Sequence, residues 1–561
     1  MRITIYSFFL GAGILLNTNF LFSQQLDYKT LESSIQQVVN KVSVATVAVT
    51  SYDSVKESKK GPTFSAVVVN PEGYILTAAH AASANQTYQV VFPDGKKVMA
   101  IGLGSIKDID AAIIKILPAG NWPHAEMGWS STLVPFQPCI SMGYPANMRQ
   151  TGHPLVRFGY VTESPLNPGY LCNTALMEPG DSGGPLFDMN GRVIGIHSRI
   201  AQSMDANFEV PVDAFRKYWN KLIKAEIYYS AKSLDTQKIE PTPVQYLGKS
   251  IPALENFHEN FSALLSAVES TSLNITSKLK GEENSALGTL ISIEKEGISN
   301  SSYLISKSSI VGDDSIFVSW KKKTFPAKVI KRDSLNDLVL LEIPSKLTGG
   351  VNIISGSFDK EKYSSAGKFL VSPGTNYATA RVSVLSTPAI SYIPGWNSWF
   401  GAFTVEYKNA LTIKKLETGS AAMFAKLKKG DRIVSINGVK VKTSEELDWE
   451  ISTYKPLTNI RLKGKRHGFG FTKNIELKAL RVQTAPEHLG EQFEGGKSLR
   501  KDGFRKTFIH DARLYPSECG GPVFDAEGNF IGINIARVCR TSSIGIPAEQ
   551  VRIFVKAALK I

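Results

Sequence analysis

Residues Met177–Ser198 read MEPGDSGGPLFDMNGRVIGIHS. A glycine-rich turn surrounds Ser182; an apolar pair, an Asp-Met-Asn-Gly turn and a Val-Ile-Gly-Ile run follow. This is the pattern of a sharp bend feeding a β-hairpin, with one hydroxyl held at the bend. Residues Tyr515–Ala536 read YPSECGGPVFDAEGNFIGINIA. They keep the Gly-Gly-Pro turn, the apolar pair, the Asp, the Gly and the closing Ile-Gly-Ile, but place Cys519 where the first stretch has Ser182.

The likeness extends over both halves of the 561-residue chain. Each half opens with an amphipathic stretch: LESSIQQVVNKV from Leu31, and the segment from Leu254. Short β-branched runs follow, and each half closes on an apolar-periodic segment, VDAFRKYWNKLI in the first and IPAEQVRIFVKAALKI in the second. The turns Asn70-Pro71-Glu72-Gly73 and Pro93-Asp94-Gly95 mark hairpins. Such self-similarity points to two copies of one mostly β unit. Asp110 corresponds to Asp337, a shift of 227 residues, and Ser182 to Cys519, a shift of 337; the second copy therefore holds 110 extra residues between those landmarks. An insertion of that size can be a domain of its own.

Three positions in the first half can build one nucleophilic site: His80 at the end of YILTAAH, Asp110 within SIKDIDAAIIKI, and Ser182. A serine hydroxyl needs a base to take its proton, and an imidazole titrates in the right range to take and return it. A carboxylate on the other ring nitrogen fixes the tautomer and stabilises the imidazolium. The bend Gly180-Asp181-Ser182 would offer backbone N–H groups to a developing oxyanion. The order His, Asp, Ser and the GDSGGP motif resemble trypsin-like serine proteases, which implies two chymotrypsin-like double β-barrels. By that resemblance Leu176, six residues before the nucleophile, takes the pocket floor, and Ile196, His197 and Ser198 form a wall. An apolar floor disfavours basic P1 residues, because it cannot compensate the desolvation of a cation; a small or medium aliphatic P1 is expected.

The inserted stretch contains TGSAAMFAKLKKGDRIVSINGVKV from Thr418, which resembles a PDZ domain of the bacterial protease type. Trp399, Phe400, Gly401 and Ala402 sit where that family's carboxylate-binding loop lies, so a peptide C-terminus is the implied partner, adding as a strand to a sheet edge. Together these features are similar to the HtrA/Deg family of exported quality-control proteases. That family carries one protease domain followed by one or two PDZ domains, whereas here the PDZ-like segment lies inside a second, degenerate protease copy. In that copy Ser309 aligns with His80, Asp337 with Asp110 and Cys519 with Ser182. A serine is no base near neutral pH, and Glu518 beside the thiol would raise its pKa. The second copy therefore reads as a pseudoprotease.

The expected organisation is a signal peptide over 1–23, a trypsin-like domain over 27–225, a linker over 226–252, a degenerate protease-like domain over 253–395 and 484–561, and an inserted PDZ domain over 396–483. The N-terminal Arg2, apolar run and Ser23 follow the grammar of secretion, which predicts an exported, secreted or periplasmic protein. No later stretch is long and apolar enough to span a bilayer. Export permits disulfides, with Cys139–Cys172 and Cys519–Cys539 as pairings within each half. The net charge of +14 is widely spread, and KGKRHG from Lys463 is its densest short cluster; this reads as a solvated surface rather than a nucleic-acid site. Neither zinc spacing nor another cofactor motif occurs. Polypeptide substrates are the expected partners, and assembly of identical subunits stays open. The rival reading is a non-catalytic peptide-binding chaperone or scaffold; an intermediate one is a protease latent until the PDZ domain binds a peptide.

Overall fold

Alternating apolar residues and turn-forming Gly, Asn and Asp drive most of the chain into short antiparallel strands. The computed structural model describes residues 27–55, 58–162, 169–241, 251, 254–293, 301–353, 365–376, 379–387, 398–407, 410–479, 488–504 and 506–561. The proposed signal peptide lies outside them. No helix among the described residues is long and apolar enough to cross a membrane.

In the first half, six strands (Thr46–Asp53, Ser58–Val68, Tyr74–Ala78, Thr87–Val91, Lys97–Ile106 and Ala111–Ile116) form a barrel that closes where the last two pair. Six more (Pro138–Gly143, Leu155–Thr162, Leu171–Asn173, Pro185–Asp188, Val193–Ile200 and Asn207–Pro211) form a second closed barrel. Closure leaves no sheet edge and fills each interior with the inward half of the alternation. The helix Tyr28–Val42 precedes them, capped by Asp27 and burying Leu31, Ile35, Val38, Val39 and Val42.

The second half repeats the plan with open sheets. One runs from Lys323–Pro326 through Ser272–Leu279 and Glu282–Ser292 to Lys328–Asp333; the other contains Phe369–Ser372, Pro522–Asp525, Phe530–Arg537 and Ser543–Pro547. The likeness of the halves reaches the register: Pro185 opposes Ile196 and Pro522 opposes Ile533, with a bulge after the next pair in each. The inserted segment forms a separate sheet from Ala402–Tyr407 to Phe469–Glu476, with the helices Ala421–Phe424 and Ser444–Ser452, around its own core.

The two halves share a core. Leu31 and Ile35 of the first helix pack with Phe261, Leu265, Phe369 and Val371 of the second half. Hydrogen bonds also cross: Val156 N–H donates to the Ser386 carbonyl at 2.9 Å, and the half-buried Asp511 carboxylate accepts from Phe158 N–H at 3.2 Å and Val384 N–H at 2.7 Å. Burial pushes the Asp511 carboxyl up to about 6, despite those two donors.

The expected disulfides are absent, and all four cysteines stand as buried thiols. In the second barrel Cys139 faces Gly159 on the strand Leu155–Thr162, and Cys172 faces Thr162 on that strand's other edge. A whole strand therefore lies between them. Two strand spacings are roughly 10 Å, beyond the reach of an S–S bridge. Cys519 packs in the core of the second half's first sheet and Cys539 in a different core.

Candidate active site

The site assembles in the crevice between the first half's barrels. Asp110 follows a turn at φ 57°, a left-handed conformation that an Asp tolerates. This twist turns its carboxylate back onto His80: the His80 backbone N–H donates at 2.9 Å, and ring Nδ1 lies 2.9 and 3.1 Å from the two oxygens. Burial pushes the Asp110 carboxyl up, but the hydrogen bonds and charge of His80, with the Ser198 hydroxyl, outweigh it and hold the carboxyl below its ordinary value. Ser198, expected in the pocket wall, lines the same cleft and donates to Asp110 at 2.6 Å, so it also supports the carboxylate.

Ser182 shares a cleft of about 440 Å³ with His80, Asp110, His197 and Ser198. Among the described residues no hydrogen bond joins Ser182 to His80; such contacts often tighten only with substrate in place. Gly183 is obligatory, because a Cβ there would lie 2.0 Å from Thr77 Oγ1 and 2.3 Å from the Ser65 carbonyl. In the Gly180-Asp181-Ser182 bend, Asp181 N–H donates to the Glu178 carbonyl at 3.0 Å, so it is not an oxyanion donor. The N–H groups of Gly180 and Ser182 carry no hydrogen bond among the described residues. The Asp181 side chain points inward to Arg157, with N···O distances of 3.0 and 3.1 Å and both side chains 1% exposed. A buried carboxylate needs such a counter-ion. Sequence reading missed Arg157; its one signal was an Arg at an inward position of the apolar strand LVRFGYVT.

Two other expected pocket residues lie elsewhere. Leu176 clusters with Met204 and with Phe493 of the second half, and Ile196 is wholly buried in the barrel core. The apolar side chains that do face the cleft are Met177, Pro179 and Ile200, with Lys107 and Arg199 beside them. His197 lines the cleft but is committed beneath it, with Nδ1 2.7 Å from Glu209 and Nε2 2.9 Å from the Ser141 hydroxyl. Ser141, His197 and Glu209 thus repeat the connectivity of a nucleophile–base–acid set. However, Ser141 is fully buried, on a strand paired along both edges, so no substrate carbonyl reaches it.

The second half superposes the same geometry on different chemistry. Asp337 has φ 57°, like Asp110. Ser309 takes the His80 position: its N–H donates to Asp337 at 2.8 Å and its hydroxyl at 2.7 Å. The buried Lys307 ammonium lies 2.9 Å from Asp337, 2.6 Å from the Ile535 carbonyl and 2.9 Å from the Arg500 carbonyl, which uses all three of its protons. Asp337 therefore neutralises a buried cation instead of orienting a base. Cys519 is fully buried, and burial pushes its thiol up, with Lys307 and Ser498 opposing. Its N–H donates to the Pro516 carbonyl at 3.3 Å, which closes the oxyanion position. His510, nine residues upstream, is buried and held down to about 3 by burial and by Arg537. A thiol-directed reagent is accordingly expected to leave Cys519 unmodified in the native chain and to modify it on unfolding, as mass spectrometry would read out; Cys519→Ser should keep full peptidase activity.

In the inserted domain, the strand Ala402–Tyr407 pairs only with Ala410–Leu416 among the described residues, leaving its other edge without a strand. Gly401 has φ 69°, and a Cβ there would lie 2.2 Å from Ser420 Cβ. Trp399 Nε1 donates to Glu417 at 2.8 Å, and Phe400 is buried in that domain's core; Ala402 begins the edge strand. The Ser444 hydroxyl donates to the Thr404 carbonyl at 3.2 Å, pinning the helix Ser444–Ser452 against this edge.

Residues 64–196 match the trypsin-like peptidase domain family, and residues 400–478 match the PDZ domain family. Over 182 residues the chain is 29% identical to the probable periplasmic serine endoprotease DegP-like of Hahella chejuensis, covering 29% of this chain and 37% of that one. Over 170 residues it is 30% identical to the putative serine protease HhoA of Synechocystis sp., covering 28% and 42%. The chain thus spans about two fifths of the length of these relatives. Among solved structures it is similar to the serine endoprotease from Yersinia pestis, at 14% identity and a TM-score of 0.30, covering 80% of this chain and 98% of that one.

Proposed function

We propose, starting from a trypsin-like peptidase domain and a PDZ domain of the HtrA/Deg type joined in one chain, that the protein is a serine endopeptidase acting on exposed or misfolded polypeptides. The observation that carries this reading is the His80 ring bound to Asp110 at 2.9 Å, in the cleft that also holds Ser182. His80 Nε2 takes the Ser182 proton as Oγ attacks the scissile carbonyl. The Gly180 and Ser182 N–H groups receive the oxyanion, and His80 returns the proton to the leaving amine. Water then hydrolyses the acyl-enzyme by the same relay. Asp110 keeps the imidazole in its productive tautomer.

Non-basic, aliphatic P1 residues fit the cleft, because Met177, Pro179 and Ile200 offer it apolar contact. The second half is proposed as a pseudoprotease, and the 396–483 insert as a PDZ domain that captures chain termini. A terminal peptide adding to the strand Ala402–Tyr407 displaces the Ser444 hydrogen bond and places its carboxylate near Gly401. Gly401→Val is expected to abolish binding of a hydrophobic C-terminal peptide in fluorescence polarisation. The named location of the relatives and the N-terminal pattern support an exported, periplasmic setting.

The test is mass-spectrometric mapping of the fragments that the full chain makes from an unstructured protein. Cleavage after small or medium aliphatic residues, absent in Ser182→Ala, supports the proposal. Cleavage mainly after Arg or Lys overturns the pocket assignment, and activity that survives Ser182→Ala overturns the mechanism.

A further inference from the structure

We infer that the second half is an internal positioning subunit of the first half's active site, its Arg540, Phe493 and Cys539–Thr541 turn holding the segment that carries Ser182. The inference rests on the proposed triad for its consequence, but its geometry stands apart from it. Leu176–Asp181 makes no regular secondary structure, so its shape depends on what surrounds it.

Arg540 is fully buried and reaches across the interface to the loop beside that segment. Its guanidinium donates to the Ser203 carbonyl at 2.7 Å and the Gln202 carbonyl at 3.4 Å, and lies 3.5 Å from Asn207 Oδ1. The same Asn207 oxygen accepts the Met177 N–H at 3.2 Å, so a chain of bonds runs from the second half to the backbone five residues before the nucleophile. Arg537 braces this turn by donating to the Arg540 carbonyl. Glu178, buried and one residue further on, lies against the Cys539 thiol and the Thr541 hydroxyl of the same turn.

Apolar contacts do the same on the other side. Phe493 closes a cluster with Leu176 and Met204. The turn before it lies directly on the cleft wall: a Cβ at Gly490 would come within 2.6 Å of Ile200 and 3.1 Å of Pro179, and His488 lines the cleft itself. The second half thus reaches Leu176, Glu178 and Pro179 directly and Met177 through Asn207, the run that leads into the bend whose N–H groups must face an oxyanion. A fixed bend costs no reorganisation during reaction, and a shift of about 1 Å in a distant support can cost roughly 10²-fold.

The test uses the full chain with Arg540→Lys, Arg540→Met, Phe493→Leu and Phe493→Ala, and Ile553→Ala on the exposed face of the closing helix as control. Three quantities are read: kcat and KM on an aliphatic P1 peptide, the rate of fluorophosphonate modification, and hydrogen exchange of the 176–182 amides. Arg540→Met and Phe493→Ala are expected to lower kcat and the modification rate by roughly 10²-fold with KM little changed, and to speed exchange at 176–182. Arg540→Lys and Phe493→Leu should recover part of each, and Ile553→Ala should match the parent. A variant that fails to fold gives way to its conservative partner, for which the exchange readout still applies. Folded variants with parental kcat and parental exchange overturn the inference. A parent chain that resists the fluorophosphonate, while the variants still loosen 176–182, overturns the protease reading and leaves the positioning geometry standing.

Discussion

Arg157→Met is expected to unfold at markedly lower urea concentration than the parent and to lose most peptidase activity. Arg157 is the counter-ion of Asp181, and both side chains are 1% exposed. Removing one partner of a buried pair leaves a charge without water or a cation, a loss of roughly 3–5 kcal/mol. Asp181 escapes that cost only by swinging out, which carries Gly180 and Ser182 with it and disperses the oxyanion donors. The loss of a single donor typically costs roughly 10²–10³ in turnover. Asp181→Asn in the same chain removes the stranded charge, so the double variant should recover much of the stability while activity stays low. Urea denaturation of the three chains, with kcat for each, checks this. A parental midpoint for Arg157→Met would show that the pair does not lock the bend.

His80→Ala is expected to lower kcat by roughly 10⁶-fold, as is Ser182→Ala, and the double variant should fall no further, because base and nucleophile act as one unit. Restoring an imidazole in the second half should create no activity there. Ser309→His would place an imidazole beside Asp337, but Lys307 already holds that carboxylate at 2.9 Å, and the Cys519 N–H is spent on Pro516. The two sites therefore share a left-handed aspartate but differ in the residue beside it, in the cation that holds it and in the residue at the nucleophile position.

Much of this could be read in the sequence because it is local. The alternation around Val67 and Ile75 specifies strands, Gly73 and Gly95 specify turns, and GDSGGP specifies the bend. The duplication even carries over the left-handed aspartates at 110 and 337. What the sequence hid is long-range. Arg157 and Asp181 lie 24 residues apart and are paired only by barrel closure. Leu176 occupies the expected floor position in the chain, but Phe493 draws it into an interface that one copy alone does not possess. The disulfides failed for the same reason, since two cysteines in one barrel can still be a strand apart. Lys307 was legible only as an odd cation at an inward position of SYLISKSS, and its role became clear once three oxygens surrounded it.

The most direct test is to treat the native full-length chain with a fluorophosphonate and map the adduct by mass spectrometry, in the parent and in His80→Ala. A single adduct on Ser182, formed in the parent and nearly absent from His80→Ala, is the predicted result. An adduct on Ser141, or none on Ser182 in a folded parent, would contradict it.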